Sequence, residues 1–314
     1  MKLQQLKYVI AVADTRSMNE AAKQLFIAQP SLSGSIKEIE KELGFEIFNR
    51  TNRGVEVTKE GAEFISYAKQ VMEQVDNLER RFFSPETETS ILSVSEQHYA
   101  FAVAAMIDFI EEQDMDSYDF SMRECQTSEV IDDVKNLRSE IGILSTNNFN
   151  EKVMMRFLKD NRMDYIPLFR SEPCVFLPRS HPLAGAKSLT LDQLKDYPYL
   201  CYQQKSTDSL YFSEEIMSTM DHRKRIVVND RATIFNMLAG LNGYTIGTGM
   251  TCTRLNGKAI ISVPLELDEQ ITIGYIKLKN TILSSQAKDY IDKLNKTVLE
   301  EIKQQKTLKI EFLK

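Results

Sequence analysis

Apolar residues over the first sixty positions recur at helical spacing and then switch briefly to alternation. Leu3, Leu6, Val9 and Ile10 predict a first helix over residues 1–14. Ala21, Ala22, Leu25 and Phe26 predict a second, with Ser17 as N-cap and Glu20 completing a capping box three residues on. After the break Ile27-Ala28, a third helix begins at Gln29-Pro30 with Leu32, Ile36, Ile39 and Leu43 on one face, and Gly44 ends it. Pro30 fits there because the first turn of a helix has no use for the missing N–H. Val55 and Val57 then alternate with polar neighbours, and Asn52-Arg53-Gly54 supplies a turn, so a two-stranded hairpin is expected with Arg50 and Arg53 at its tip. Two short helices, a tight turn and a following wing make a winged helix-turn-helix.

From Thr58 a long helix is expected, and Phe64, Ala68, Val71, Val75, Leu78 and Phe82 recur on it at steps of four and three. That seam predicts a dimerisation helix; the alternative is a helix packed on its own domain. Residues 84–90 are polar, contain proline and lack periodicity, which predicts a hinge. Beyond it, strands at 91–95, 119–124 and 140–144 alternate with helices at 99–111 and 128–137, the pattern of a mostly parallel sheet. A second α/β unit is expected from about Arg162, with strands at 174–178, 225–228 and 244–247 and helices at 191–196, 210–219 and 232–241. Near Val263 the chain returns to the first unit, adding a strand at 271–276 and a closing helix at 284–303. The expected division is therefore 1–58, 59–83, 84–90, 91–161 with 265–303, 162–264, and a charged tail 304–314.

Charge changes the picture less than it first suggests. A net charge of −6 over 314 residues argues against a nucleic-acid protein, whose usual footprint is basic. Distribution reverses that, because Lys37, Arg50 and Arg53 can face phosphates while Glu38, Glu40, Glu42 and Glu46 need not. Composition is that of a globular protein, with no run long enough to span a bilayer and no signal-peptide core, so a cytoplasmic protein is expected. The four cysteines and three histidines are scattered, which predicts no metal site, no disulfide framework and no cofactor.

The match then becomes specific. Ser17, Ala21-Ala22, Leu25, Gln29-Pro30, Leu32-Ser33, Ile36, Glu40, Leu43-Gly44, Phe48, Arg50, Thr58 and Gly61 resemble, without a gap in spacing, the N-terminal half of LysR-type transcriptional regulators. Ala28 departs where that family usually has Ser or Thr, and Gly34 where it usually has Arg. The resemblance implies sequence-specific binding to double-stranded operator DNA. Gln29, Pro30 and Ser33 would face base edges, and Ser31, Lys37, Arg50, Thr51 and Arg53 would hold phosphates. It also implies a homodimer or a tetramer of paired dimers, and a C-terminal pair of subdomains like a periplasmic binding protein. That half matches more loosely, mainly through pattern and the tetrapeptide His181-Pro182-Leu183-Ala184.

Ligands of open α/β sheets sit beyond the carboxyl ends of strands, where helix N-termini offer free N–H groups. The loops so placed carry Ser95, Gln97 and His98; Thr127 and Ser128; Tyr202 and Gln203; Asp230 and Thr233; and Thr248. Their hydroxyls and amides predict a small polar or anionic effector, and the resemblance points to the same cleft through Ser95 and Thr127. Each of these residues can equally be a helix cap or turn. His98 can bind an anion, titrate, or be a half-exposed structural histidine. Arg231 has a place either in the cleft or on the surface, with the surface favoured; Cys201 is read as a buried bystander thiol over the redox cysteine that the resemblance implies near that strand end. An enzyme is the rival reading, unsupported by any nucleophile elbow, P-loop or dinucleotide motif. An architectural DNA protein with an inert second half is the third.

Overall fold

The structure, a computed structural model, describes residues 1–51, 54–82, 90–113, 115–204, 209–216, 222–305 and 308–313. It divides into two compact units, Met1–Glu88 and Thr89–Lys314. Arg53 and most of the expected hinge 84–90 lie outside the described residues, as do the side chains of Arg50, Thr51 and Phe82.

The first unit consists of α1 (Leu3–Thr15), α2 (Met18–Gln24), α3 (Gln29–Leu43), the hairpin β1 (Phe48–Thr51) and β2 (Gly54–Val57), and α4 (Lys59–Phe82). Val9, Val12, Ala21, Leu32, Ile36, Ile39 and Ile47 close one core between them. Removing each large side chain from water contributes about 1.5–3 kcal/mol. Ser17 caps α2 as expected, accepting from the Glu20 amide at 3.3 Å. The expected box is only half formed, because the Glu20 carboxylate turns to Lys23 instead. Gly44 ends α3 at φ 80°, where a side chain would be strained. Gly61 answers a different need: a Cβ there would lie 2.2 Å from the Ile47 carbonyl oxygen.

The expected seam of α4 divides between two directions. Ala68 packs inward with Ile65 and Met72, and Phe64 and Val75 are partly buried against the same core. Val71 and Leu78 remain 43% and 52% exposed, and Tyr67 joins them at 63%. Among the described side chains the open apolar stripe is Tyr67, Val71 and Leu78, of which Val71 and Leu78 belong to the expected seam.

The second unit runs β3 (Ser90–Glu96), α5 (Ala100–Glu112), β4 (Tyr118–Glu124), α6 (Thr127–Lys135), β5 (Ile141–Asn147), α7 (Glu151–Asp160), β6 (Met163–Ser171), β7 (Cys174–Pro178), α8 (Leu191–Leu194), β8 (Tyr199–Tyr202), β9 (Arg225–Val228), α9 (Arg231–Leu241), β10 (Thr245–Gly247), α10 (Thr253–Asn256), β11 (Ile260–Pro264), β12 (Ile271–Leu278), α11 (Ser285–Gln304) and β13 (Ile310–Phe312). Six strands form one sheet in the order β13-β6-β12-β5-β3-β4. Only β3 pairs in parallel, with β4 and β5; β12 runs antiparallel to β5 and β6, and β13 antiparallel to β6. The sheet is therefore mixed rather than mostly parallel. α5 and α11 cover one face through Phe101, Phe109, Tyr290 and Leu294, while α6 and α7 cover the other through Val130, Val134, Met154 and Leu158. β5 is buried along its whole length, its apolar Ile141, Ile143 and Leu144 and its polar Ser145, Thr146 and Asn147 alike.

A smaller sheet, β10-β7-β11, and the parallel pair β8-β9 make the second subdomain. The chain passes to it after β6 and returns before β12, so residues 163–171 belong to the large sheet although the expected division placed them with 162–264. The tail contributes β13, whose Ile310 and Phe312 pack on the main core. Of the expected helix at 210–219, only a 3-10 turn at Leu210–Phe212 forms among the described residues.

Candidate functional site

The exposed side of α3 is polar and begins at its N-terminus. Pro30, Ser31, Gly34, Lys37 and Lys41 are exposed, Gln29 and Ser33 are half-buried, and Leu32, Ile36 and Ile39 anchor the opposite side. The Glu40 carboxylate accepts from the Ile47 and Phe48 amides at 2.9 and 3.1 Å, so the hairpin is held against the helix that it follows. A Cβ at Gly34 would meet nothing within 4 Å, so the missing family arginine leaves open space, not a packed contact.

In the second unit a cavity of about 80 Å³ lies where the two subdomains meet, room for roughly five or more waters. His98, Ser145, Tyr202, Glu214, Glu215, Arg231 and Thr248 supply its polar wall, and Phe101, Phe176, Ile234, Phe235, Ile246, Ile271 and Ile273 its apolar wall. Three expected residues line it: His98, Tyr202 and Thr248. The His98 ring stacks on Tyr202 with centroids 3.5 Å apart, and its Nδ1 lies 2.7 Å from Glu214 Oε2. Burial works to lower the His98 pKa, but the charge and hydrogen bond of Glu214 outweigh it and the net shift is upward.

The remaining expected residues are used elsewhere. Ser95 is fully buried, donates to Asp133 and shares a hydrogen bond with Ser139, each at 2.7 Å. Asp133 in turn meets Arg123 and Arg138, each at 2.7 Å. Gln97 donates to Thr127 Oγ1 at 2.5 Å, and its Oε1 accepts from the Tyr99 hydroxyl and the Ser145 amide. Ser95, Gln97, Thr127 and Ser128 are not among the residues that line the cavity, and the buried Ser128 Oγ has no hydrogen-bond partner. Asp230 caps α9, accepting from the Thr233 amide and hydroxyl, and Gln203 is exposed beside the strand pair.

Two residues that line the cavity, Arg231 and Glu215, carry more of the site than sequence reasoning gave them, and Glu96 is a further buried carboxyl of the same unit. Arg231, expected on the surface, is buried to 19% side-chain exposure, with Nη1 3.1 Å from Asn256 Oδ1 and Nε 3.5 Å from Glu124. Glu215 accepts from Tyr202 N at 2.8 Å and from the Tyr199 hydroxyl at 2.9 Å. Burial, reinforced by the neighbouring Glu214, raises its pKa to about 7. Glu96 is 1% exposed, and its pKa is raised well above the carboxylate range by burial and then by Glu124. Only a helical or loop position was legible for each; the carboxylates converge from three separate stretches. Cys201 is buried, and burial raises its pKa against the opposing hydrogen bond from Arg225 Nε at 3.1 Å.

With that geometry in hand, comparison with known proteins is informative. Residues 3–62 match the bacterial regulatory helix-turn-helix protein, LysR family, and residues 112–298 match the LysR substrate binding domain. The HTH-type transcriptional regulator AlsR of Bacillus subtilis is 28% identical over 294 residues, covering 88% of this chain and 91% of AlsR. The Hca operon transcriptional activator HcaR of Escherichia coli is 27% identical over 262 residues, covering 80% of this chain and 81% of its own. In fold, full-length CbnR in complex with its target DNA matches with a TM-score of 0.65 at 16% identity, over 95% of this chain and all of CbnR. No described helix is long and apolar enough to cross a membrane. The chain belongs to the LysR family of transcriptional regulators, with an N-terminal DNA-binding helix-turn-helix and a C-terminal effector-binding domain.

Proposed function

We propose that α3 reads operator DNA and that the occupant of the cavity decides how it does so. Gln29, Pro30 and Ser33 face base edges; Ser31 and Lys37, with Arg50, Thr51 and Arg53 of the hairpin, hold phosphates. Tyr67, Val71 and Leu78 on α4 form the contact between two copies, which presents two recognition helices to two half-sites. The observation that carries the control step is the pairing across the cavity. His98 follows a strand of the large sheet and meets Glu214; Glu124 ends another and meets Arg231 at the start of α9. A ligand that exchanges partners with these groups changes how the two subdomains close, and a regulator needs only such a population shift. The same reading expects no turnover of any bound compound.

Fluorescence anisotropy on the DNA upstream of this protein's own gene tests the reading. The full chain should bind specifically, a Gln29→Ala/Ser33→Ala variant should lose that specificity, and cavity ligands should alter the affinity or the complex formed. Salt-sensitive binding that ignores both sequence and the double substitution would reduce the activity to general phosphate attraction.

A further inference from the structure

Phe26 carries two costs that the fold does not explain. The hydrophobic pattern puts it on the apolar face of α2, yet it lies in the turn between α2 and α3 and is 95% exposed. Its neighbours Leu25 and Ile27 pack against the core of the first unit, which leaves the residue between them facing outward. The turn is closed by the Phe26 amide on the Lys23 carbonyl at 3.1 Å and the Ile27 amide on the Ala22 carbonyl at 3.0 Å. There the backbone takes φ 55°, a left-handed conformation that glycine or asparagine adopts at little cost and a bulky side chain resists. An exposed ring on a strained backbone adds nothing to the stability of the free protein, and strain held in this way points to function.

Placement decides what that function is. Leu137 shares the left-handed backbone, at φ 60°, and is 60% exposed, but it follows α6 in the second unit. Phe26 stands three residues before Gln29, where α3 begins, and is followed by exposed Ala28, Pro30 and Ser31. Residues 24–36 contain no charged side chain, so this end of α3 offers DNA only amides, hydroxyls and apolar surface. In the major groove the apolar feature of a base edge is the thymine C5-methyl group, and a phenyl ring is among the groups that meet it. We propose that Phe26 is a specificity-determining residue, its ring set against a thymine methyl in each half-site beside the bases that Gln29 and Ser33 face. This rests on reading α3 as the recognition helix.

Such a contact has a signature that separates it from the phosphate contacts. A phenyl ring neutralises no phosphate, so removing it lowers affinity without changing the salt dependence, whereas removing Lys37 should flatten that dependence. Its removal also leaves the fold intact, because a residue that tolerates the left-handed backbone relieves the strain.

The test uses a binding site selected from random duplexes by the full chain, followed by anisotropy. Replacing the thymines of that site one at a time by deoxyuridine removes a methyl group and nothing else. At one thymine per half-site the native protein should then bind about fourfold more weakly. Phe26→Asn should bind the unmodified site about tenfold more weakly, with an unchanged salt slope, a melting temperature no lower than the native one, and no response to deoxyuridine at that thymine. Phe26→Tyr should keep the methyl preference. Leu137→Asn, which relieves the same backbone in the second unit, should leave binding unchanged. Native affinity in Phe26→Asn, or a response to deoxyuridine that is absent or the same in both proteins, would overturn the role of Phe26 while leaving α3 as the recognition helix. Failure of the selection to enrich any sequence would overturn that reading of α3, and this proposal with it.

Discussion

Two polar clusters flank the end of β3, and their difference separates framework from site. On one side Ser95, Ser139, Arg123 and Arg138 gather on Asp133, and Gln97 bonds Thr127, Tyr99 and Ser145. On the other, His98, Tyr202, Glu214, Glu215 and Arg231 line a cavity, and the buried Arg231 Nε has no hydrogen-bond partner, only an ion pair with Glu124 at 3.5 Å. Residue types are similar on the two sides. A cluster that closes its own hydrogen bonds orders the fold, whereas one that leaves a group wanting can be completed by something from outside.

The sharpest way to break the comparison is on the saturated side. Asp133→Ala strips one buried carboxylate from two arginines and a serine and should cost about 3–5 kcal/mol in denaturant unfolding. Gln97→Ala removes the partner of Thr127, Tyr99 and Ser145 together and should cost about 3 kcal/mol. On the unsaturated side the effect is on pH. Glu215 binds its proton more tightly in the folded state, with a pKa of about 7 against 4.5 unperturbed. Its contribution to stability is therefore fully present below pH 4.5 and is lost as pH rises through 7. Unfolding across pH 4 to 8 should show this decline in the native protein, and Glu215→Gln should remove about 2–3 kcal/mol of it. The smallest effect lies outside both clusters. Gly34→Ala should stabilise α3 by about 0.5–1 kcal/mol, since a Cβ there meets open space. Gly34→Arg, measured by anisotropy against salt, should steepen the slope of log K by roughly 0.9 as one more phosphate is neutralised.

How much of this was legible in the sequence depends on the range over which each feature is decided. The first unit is local: the spacing of Leu32, Ile36 and Ile39, the Ser17 cap and the Gly44 stop each act within a few residues, and they read directly. The α4 seam was legible as a stripe but not in its direction, because Ala68 and Met72 are pulled inward by residues forty or more positions earlier. β6 was missed because Pro167 interrupts it, and β13 because three residues of an otherwise charged tail carry no period. The helix expected at 210–219 gives way where Glu214 and Glu215 turn to His98, Tyr199 and Tyr202, partners that spacing alone cannot reveal. The cavity suffers most from this, since its lining of Glu214, Glu215, His98 and Arg231 exists only once distant segments meet.

The central claim is that one cluster holds the fold and the other holds a ligand. Unfolding Gln97→Ala and Arg231→Gln side by side in urea, with and without a compound that alters DNA binding, tests it in one experiment. Gln97→Ala should lose stability yet keep the increment that the ligand adds, while Arg231→Gln should stay close to the native protein and lose that increment. An Arg231→Gln protein as unstable as Gln97→Ala, with the ligand increment intact, would mean that both clusters are framework and would contradict the account.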